Sequence, residues 1–266
     1  VRAEIVLSGE EAKRIIAKGI VALEEVKRAK EDGIVFVSRG STNAYILEEL
    51  LGEEIEKEKY AVGMILRDRL CLNREMIGEV AIIKGEVIKM SADEVIEKMD
   101  SDDVFIKGAS VIDRNFIPGV LLANERGGVV GKTLGSIYAR GVNLIIPASV
   151  MKFLPVELRD LVRDSGITRV EYSTGIPVGI SPLYGRLFTE IDAFEVLFGV
   201  RTFPLGFSDL DGACIAFLLE GEDGDVRRAI DLIREIKGEK KMEWRSKECK
   251  SCNEKTCFWT GGERPY

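Results

Sequence analysis

Apolar residues change their spacing along this chain, and each change marks an element. Residues 1–7 read as a short strand. Ser8 and Glu11 then form a capping-box pair, hydroxyl and carboxylate each satisfying an orphan amide at a helix start. Ala12, Ile15, Ile16, Leu23 and Val26 follow at helical spacing, with Lys and Glu on the other face, and Gly33 offers a C-terminal cap. Residues 34–37 are wholly apolar, as in a strand buried on both faces. A small-residue turn over 38–43 leads to a helix over 44–51. Strands are expected at 61–72, 80–90 (with a turn at Lys84-Gly85), 104–106, 119–123 and 143–148. Helices are expected from Ser91 to Met99, over 131–140, and over 155–163 with proline at its start.

The repeated strand–turn–helix pattern predicts an α/β fold with a Rossmann-like, mostly parallel sheet. After about residue 165 the order becomes strand (168–172), helix (190–198), two strands (200–206, 213–220) and helix (225–236). That order matches most of a smaller ferredoxin-like α+β domain. The expected division is 1–165 for the α/β domain, 166–240 for the second domain, and 241–266 for a cysteine-bearing tail.

Composition narrows the chemistry. Hydrophobic residues make up 45% and charged residues 31%, enough for a packed core and too apolar for disorder. The formal charge of −7 argues against non-specific nucleic-acid binding, which needs clustered Lys and Arg. It leaves room for an anionic ligand in a local basic pocket. No apolar run approaches a membrane span, and residues 1–4 begin no signal region, so a cytoplasmic chain is expected. Glu, Lys and Arg dominate the polar set, as in proteins of thermophiles. The chain contains no histidine. Acid–base chemistry must therefore use Asp, Glu, Lys, Cys or Tyr.

Three strand-to-turn junctions carry the candidate site. In the first, Ser38, Arg39, Gly40, Ser41, Thr42 and Asn43 follow the strand at 34–37. Amides at the start of the next helix, with Gly40, Ser41 and Thr42 foremost, suit a phosphate or carboxylate, because a helix N-terminus is partly positive. In the second, Lys107 and Gly108 end the strand at 104–106, and Asp113 lies in the loop beyond. In the third, Asn124 and Glu125 precede Gly127 and Gly128, which allow close approach of a ligand, and Lys132 follows. Gly131-Lys132-Thr133 ends like a P-loop. The glycine that motif requires would fall at Arg126, so it is not one.

In this order the three segments resemble the superfamily of ribose-5-phosphate isomerase, glucosamine-6-phosphate deaminase, class I CoA transferases and sugar-responsive regulator domains. The resemblance covers roughly residues 8–154. Residues 39–43 are similar to the isomerases' phosphate turn, G-x-G-S-T. Residues 107–113 are similar to their acidic loop, D-G-A-D-E-x-D, and residues 127–135 to the glycine stretch before the catalytic helix. The resemblance implies a phosphorylated sugar or a nucleotide-type cofactor at the carboxyl ends of the strands. It also marks departures. Lys107 and Ser110 stand where the loop's first two acids belong, and the enolising base would fall near Gly135 or Ser136. Asp113 alone is retained as an acid–base candidate. Glu125, beside glycines, resembles the CoA-transferase glutamate that acts as a nucleophile.

Cys249, Cys252 and Cys257 crowd the tail, and C-x-x-C is a half-site for zinc. Three thiolates with an open position also suit an iron–sulfur cluster. A fourth ligand would come from Cys71, Cys214, Glu248, Glu254 or a second chain. Cys71 and Cys214 otherwise read as buried hydrophobes. Trp244, Phe258 and Trp259 are expected to dock the tail. Asp209 and Asp211 read as turn residues.

The leading expectation is a site for a small phosphorylated metabolite or nucleotide-type cofactor, with isomerase- or transferase-like chemistry. One alternative is a non-catalytic metabolite sensor or assembly protein, a homo-oligomer built through the second domain. Another is a metal or redox protein centred on the tail cysteines.

Overall fold

The structure is a computed structural model. It describes residues 1–66, 68–73, 75–210, 212–243 and 249–259. Asp211, Trp244 and Glu248, named above, lie outside these described residues.

In chain order the elements are β1 (Arg2–Ser8), α1 (Gly9–Val21), α2 (Glu24–Asp32), β2 (Ile34–Val37) and α3 (Ser41–Leu51). A hairpin of β3 (Gly63–Ile65) and β4 (Leu70–Leu72) follows, then β5 (Val80–Ile83), β6 (Glu86–Lys89), α4 (Ala92–Ile96) and β7 (Val104–Ile106). Next come β8 (Val111–Ile112), β9 (Pro118–Leu122), α5 (Gly128–Arg140), β10 (Asn143–Pro147) and α6 (Leu158–Asp164). The chain continues through β11 (Gly179–Pro182), β12 (Arg186–Phe188), α7 (Glu190–Phe198), β13 (Arg201–Ser208), β14 (Cys214–Glu220) and α8 (Asp223–Ile236).

The central sheet has the order β12-β10-β7-β2-β5-β6. Its first four strands run parallel; β5 adds antiparallel to β2, and β6 adds antiparallel to β5. Successive strand residues point to opposite faces. Val35, Val37, Val104, Ile106 and Ile145 enter one apolar cluster. Ile34, Phe36, Phe105, Leu144 and Ile146 enter another. Burial on both faces is why these strands are continuously apolar.

A second sheet, β1-β14-β13, is antiparallel throughout. Its outer strand β1 comes from the N-terminus, with Ile5 opposite Phe217 and Leu7 opposite Ile215. Leu7, Phe217 and Leu219 share one apolar cluster with Val35 and Ile145, filled in by residues of α1, α3, α7 and α8. The boundary expected near residue 165 therefore does not separate the two sheets. β1 crosses it one way, and β12 crosses it the other way to edge the central sheet. Residues 166–240 supply β13, β14, α7 and α8 to the antiparallel layer but not its third strand.

Both predicted capping boxes form, Ser8 with Glu11 and Ser91 with Glu94. The helix expected up to Gly33 is two helices, because Leu23 adopts an extended conformation between α1 and α2. The strand expected over 61–72 is the short β3–β4 hairpin, and 168–172 is not a strand. Cys71 and Cys214 are half-buried rather than buried. Among the described residues no helix is long and apolar enough to cross a membrane.

Candidate functional site

Three parallel strands, β2, β7 and β10, end on the same side of the central sheet. In open α/β sheets this is the side where ligands bind. The chain past each end is held by short local bonds. After β2, Ser38 N–H donates to Ile106 O at 3.0 Å, and the fully buried Asn43 amide donates to Ser38 O at 2.7 Å and Ile106 O at 3.3 Å. Asn43 thus ties the β2 turn to the end of β7. Tyr60 supports the turn from beneath. Its hydroxyl donates to Val37 O, and its carbonyl accepts from Gly40 N–H at 2.8 Å. That last bond corrects one expectation, since the Gly40 amide is committed to Tyr60. The amides that precede the first intrahelical bond of α3, Ala44 N–H to Gly40 O at 3.0 Å, are those of Ser41, Thr42 and Asn43.

The third junction is built by two glycines for different reasons. Gly127 has φ +73°, which places it in the left-handed region as the N-terminal cap of α5. Gly131 approaches the Arg126 carbonyl so closely that a Cβ would stand 1.9 Å from its oxygen. The first intrahelical bond is Gly131 N–H to Gly127 O at 3.1 Å, leaving the amides of Gly128, Val129 and Val130 ahead of it.

These junctions line one cavity of about 620 Å³. Arg39, Gly40, Ser41, Thr42, Asn43, Lys107, Gly108, Gly127 and Gly128 all border it. So do two charged residues that sequence reasoning missed, Glu79 and Lys152. Val62, Ile65, Leu70, Leu72, Val120 and Leu122 supply an apolar wall. Ser38, fully buried beneath the turn, does not border the cavity.

The charges here are incompletely partnered. Arg39 Nε stands 3.7 Å from Glu79 Oε1, and neither buried atom has a hydrogen-bond partner. Asn43 Oδ1 is likewise buried without one. Glu79 Oε2 accepts from Ala92 N–H at 3.2 Å. Burial pushes the Lys107 amine down to about 8; Glu79 opposes that fall and Arg39 adds to it. Lys152 is also pushed down to about 8, by burial and by Lys13 and Lys107, with Glu190 opposing. Its amine donates to Ala109 O at 2.5 Å. Behind it, the fully buried Glu190 carboxyl is pushed up by burial, although Ser149 and Val150 N–H favour its ionised form. Native proteins rarely leave buried polar atoms unpaired, and three such atoms belong here to residues that border one cavity.

Besides Ser38, three further predicted residues do not border the cavity. Asp113 is 1% exposed and does not border the cavity. Its carboxylate accepts from Asn115 N–H at 2.8 Å, Ile117 N–H at 2.9 Å and Leu158 N–H at 3.2 Å. Burial alone would raise its pKa, but these amides outweigh burial and lower it. Asp113 therefore holds its loop to the start of α6. Glu125 is exposed and also lies off the cavity. Lys132 faces outward and pairs with Asp93 at 3.0 Å. The helical turn between Gly128 and Lys132 carries its side chain away from the junction.

The tail borders the same cavity. Phe258 N–H donates to Gly175 O at 3.0 Å, and Trp259 is 5% exposed. Cys252 N–H donates to Cys249 O at 3.2 Å, and Trp259 N–H to Cys257 Sγ at 3.4 Å. Glu254 and Cys71 both line the cavity. Burial pushes the Cys71 thiol up, and nearby Cys252 and Cys257 add to that rise against Arg69. Among the described residues no group of three or more His, Cys, Asp or Glu side chains is placed to hold a metal ion. The arrangement of Cys249, Cys252 and Cys257 thus lends the zinc or iron–sulfur expectation no support, and the tail's visible contribution is to wall the cavity.

Lys152 was legible in principle, because it closely follows an apolar strand whose carboxyl end should face a ligand. Glu79 was not. It precedes an antiparallel strand, and only the pairing of β5 with β2 brings it beside the β2 turn.

No protein-family model matches the chain, and no curated protein does. The chain is similar to a solved D-ribose-5-phosphate isomerase in complex with phospho-erythronic acid. The identity is 13%, over 86% of this chain and 87% of that one, with a TM-score of 0.32. It is similar to ribose 5 phosphate isomerase A from Neisseria gonorrhoeae at 14% identity, covering 87% of this chain and 86% of that one, with a TM-score of 0.29. Likenesses this remote leave the chemistry to be read from the cavity itself.

Proposed function

We propose that the cavity binds a small phosphorylated metabolite. Its phosphate would sit at the amides of Ser41, Thr42 and Asn43, between Arg39 and Lys107. The observation that carries this reading is the meeting of two helix N-termini with Arg39, Lys107 and Lys152 on one cavity. Each helix start presents amides with partial positive charge, and Arg39 and the lysines add positive charge at low local dielectric. The volume suits a sugar phosphate or a mononucleotide. The apolar wall opposite suits the body of such a ligand rather than its phosphate. Acid–base work on the bound molecule falls to Glu79, since neither Asp113 nor Glu125 borders the cavity.

Calorimetry with ribose 5-phosphate, AMP and inorganic pyrophosphate, set against ribose and adenosine, tests the reading. Binding is expected to require the phosphate, to weaken with salt, and to fall at least tenfold in Lys152→Met and Arg39→Met. Equal binding of phosphorylated and unphosphorylated partners, or phosphate binding that ignores both substitutions, would overturn it.

A further inference from the structure

The two lysines on the cavity differ in how they are held. Lys152 is anchored, with its amine on the Ala109 carbonyl. Lys107 is anchored only at its backbone, where its N–H donates to Ile145 O at 3.0 Å. Among the described residues its amine makes no hydrogen bond and no ion pair. The charged groups that act on it are Glu79 and Arg39. Glu79 Oε1 has no hydrogen-bond partner of its own. An amine without a hydrogen bond and a carboxylate oxygen held only by the 3.7 Å ion pair with Arg39 thus border one cavity already suited to phosphate. An amine whose only task was to hold an anion would gain from staying fully charged. Burial works the other way here, and with the amine near 8 roughly a tenth of it is the neutral nucleophile at pH 7.

We propose that Lys107 is a nucleophile toward the carbonyl carbon of a phosphorylated aldehyde or ketone, which it holds as an imine. The proposal rests on the phosphate-binding reading above. The neutral Nζ adds to the carbonyl carbon, and the carbonyl π pair moves onto oxygen. Glu79 takes a proton from the new ammonium and returns it to that oxygen, giving a neutral carbinolamine. Glu79 then carries the remaining nitrogen proton to the hydroxyl, which leaves as water as the nitrogen electron pair forms C=N. Amine and carbonyl become imine and water, with no oxidant or reductant. In a chain without histidine, a carboxylate on the same cavity, whose charge acts on the amine, is the available carrier for these protons.

Pyridoxal 5′-phosphate is a suitable probe, because it joins an aldehyde to a phosphate. The full-length protein is incubated with it, reduced with borohydride, and mapped by peptide mass spectrometry. The reduced adduct is expected on Lys107 at least tenfold above any other lysine, and excess inorganic phosphate should suppress it. Glu79→Gln should slow its formation at least tenfold. Lys107→Arg should abolish it with the far-UV spectrum and melting temperature kept. Phosphate-competed binding of the probe with no adduct on Lys107, or with the adduct on Lys152 instead, would overturn the imine and leave the phosphate reading standing. Absence of any phosphate-competed binding would overturn that underlying reading as well.

Discussion

Two regions of this molecule concentrate the same residue types and use them in opposite ways. Around Arg14 on α1, Nη2 meets Glu48 at 2.6 Å, Nη1 meets Glu49 at 2.9 Å and Nε meets Glu239 at 2.9 Å. Lys57 joins Glu48 at 2.7 Å, and Glu48 also accepts from Ile55 N–H at 3.0 Å. The Tyr45 ring lies under the Arg14 guanidinium at 4.8 Å. Burial would lower the Arg14 pKa, but Glu239 and Glu48 raise it; burial would raise Glu48, but Lys57 and Arg14 lower it. Each of these charges is met by an opposite one from another part of the chain, so the cluster binds α1, α3 and the segment after α8 together. In the cavity, Lys107 and Glu79 keep an amine and an oxygen without hydrogen bonds. Residue type does not separate these two regions; the state of their hydrogen bonds does.

Removing Arg14 is the strongest test of that contrast. Arg14→Met should cost about 3 kcal/mol by urea unfolding, because Glu48 and Glu239 lose their shared partner. Ligand binding at the cavity should survive wherever the protein stays folded. Asp113→Ala comes next. Its three amide donors would be stranded, and a loss of about 2 kcal/mol is expected with phosphate binding unchanged. A normal melting curve combined with lost binding would instead return Asp113 to the site.

Lys107→Met should show the reverse signature. Phosphate binding should fall tenfold or more, about 1.4 kcal/mol, while stability holds within about 0.5 kcal/mol or improves. A destabilisation as large as that of Arg14→Met would erase the distinction between the two regions.

A further effect is in the pH dependence. Lys107 and Lys152 titrate near 10.5 when unfolded and about 8 when folded. Between those values the unfolded chain binds more protons, so their contribution makes stability rise with pH from about 8 to about 10.5. Lys107→Met should flatten that slope in denaturation curves at pH 7.5 and 9.5. Glu48 in the Arg14 cluster acts at the acid end. Its folded pKa is lowered, so its contribution is present above the ordinary value of 4.5 and is lost as pH falls through the lowered one. A slope in the alkaline range that Lys107→Met leaves intact would show that the amine is not the group responsible.

Much of the cavity was legible along the chain, and its gaps have physical causes. The first junction could be read because strand, turn and helix start are consecutive, so local geometry alone aims Ser41, Thr42 and Asn43. Gly127 and Gly128 were legible for the same reason. Asp113 misled because an acid in a loop after a strand looks catalytic until its three amide partners, one of them 45 positions away at Leu158, are known. Lys132 misled because a helix turns a side chain away within a few residues. The metal expectation drew on spacing, which does not say where sulfurs point.

By itself the sequence determined what depends on neighbours in the chain: the capping boxes, the two-sided burial of the β2, β7 and β10 strands, and the amides exposed at two helix starts. It also determined, through the lack of histidine, that acid–base chemistry must fall to other groups. The tertiary structure alone decided that β1 pairs with β14 across more than two hundred positions and that the two sheets share a core. It alone brought Glu79 and Lys152 to the junctions and left the Lys107 amine and Glu79 Oε1 without hydrogen bonds. Periodicity and propensity act over a few residues, whereas burial and hydrogen-bond completion depend on every segment that folds against a group. Whether a charge is paired or left without a hydrogen bond is decided only when those segments arrive.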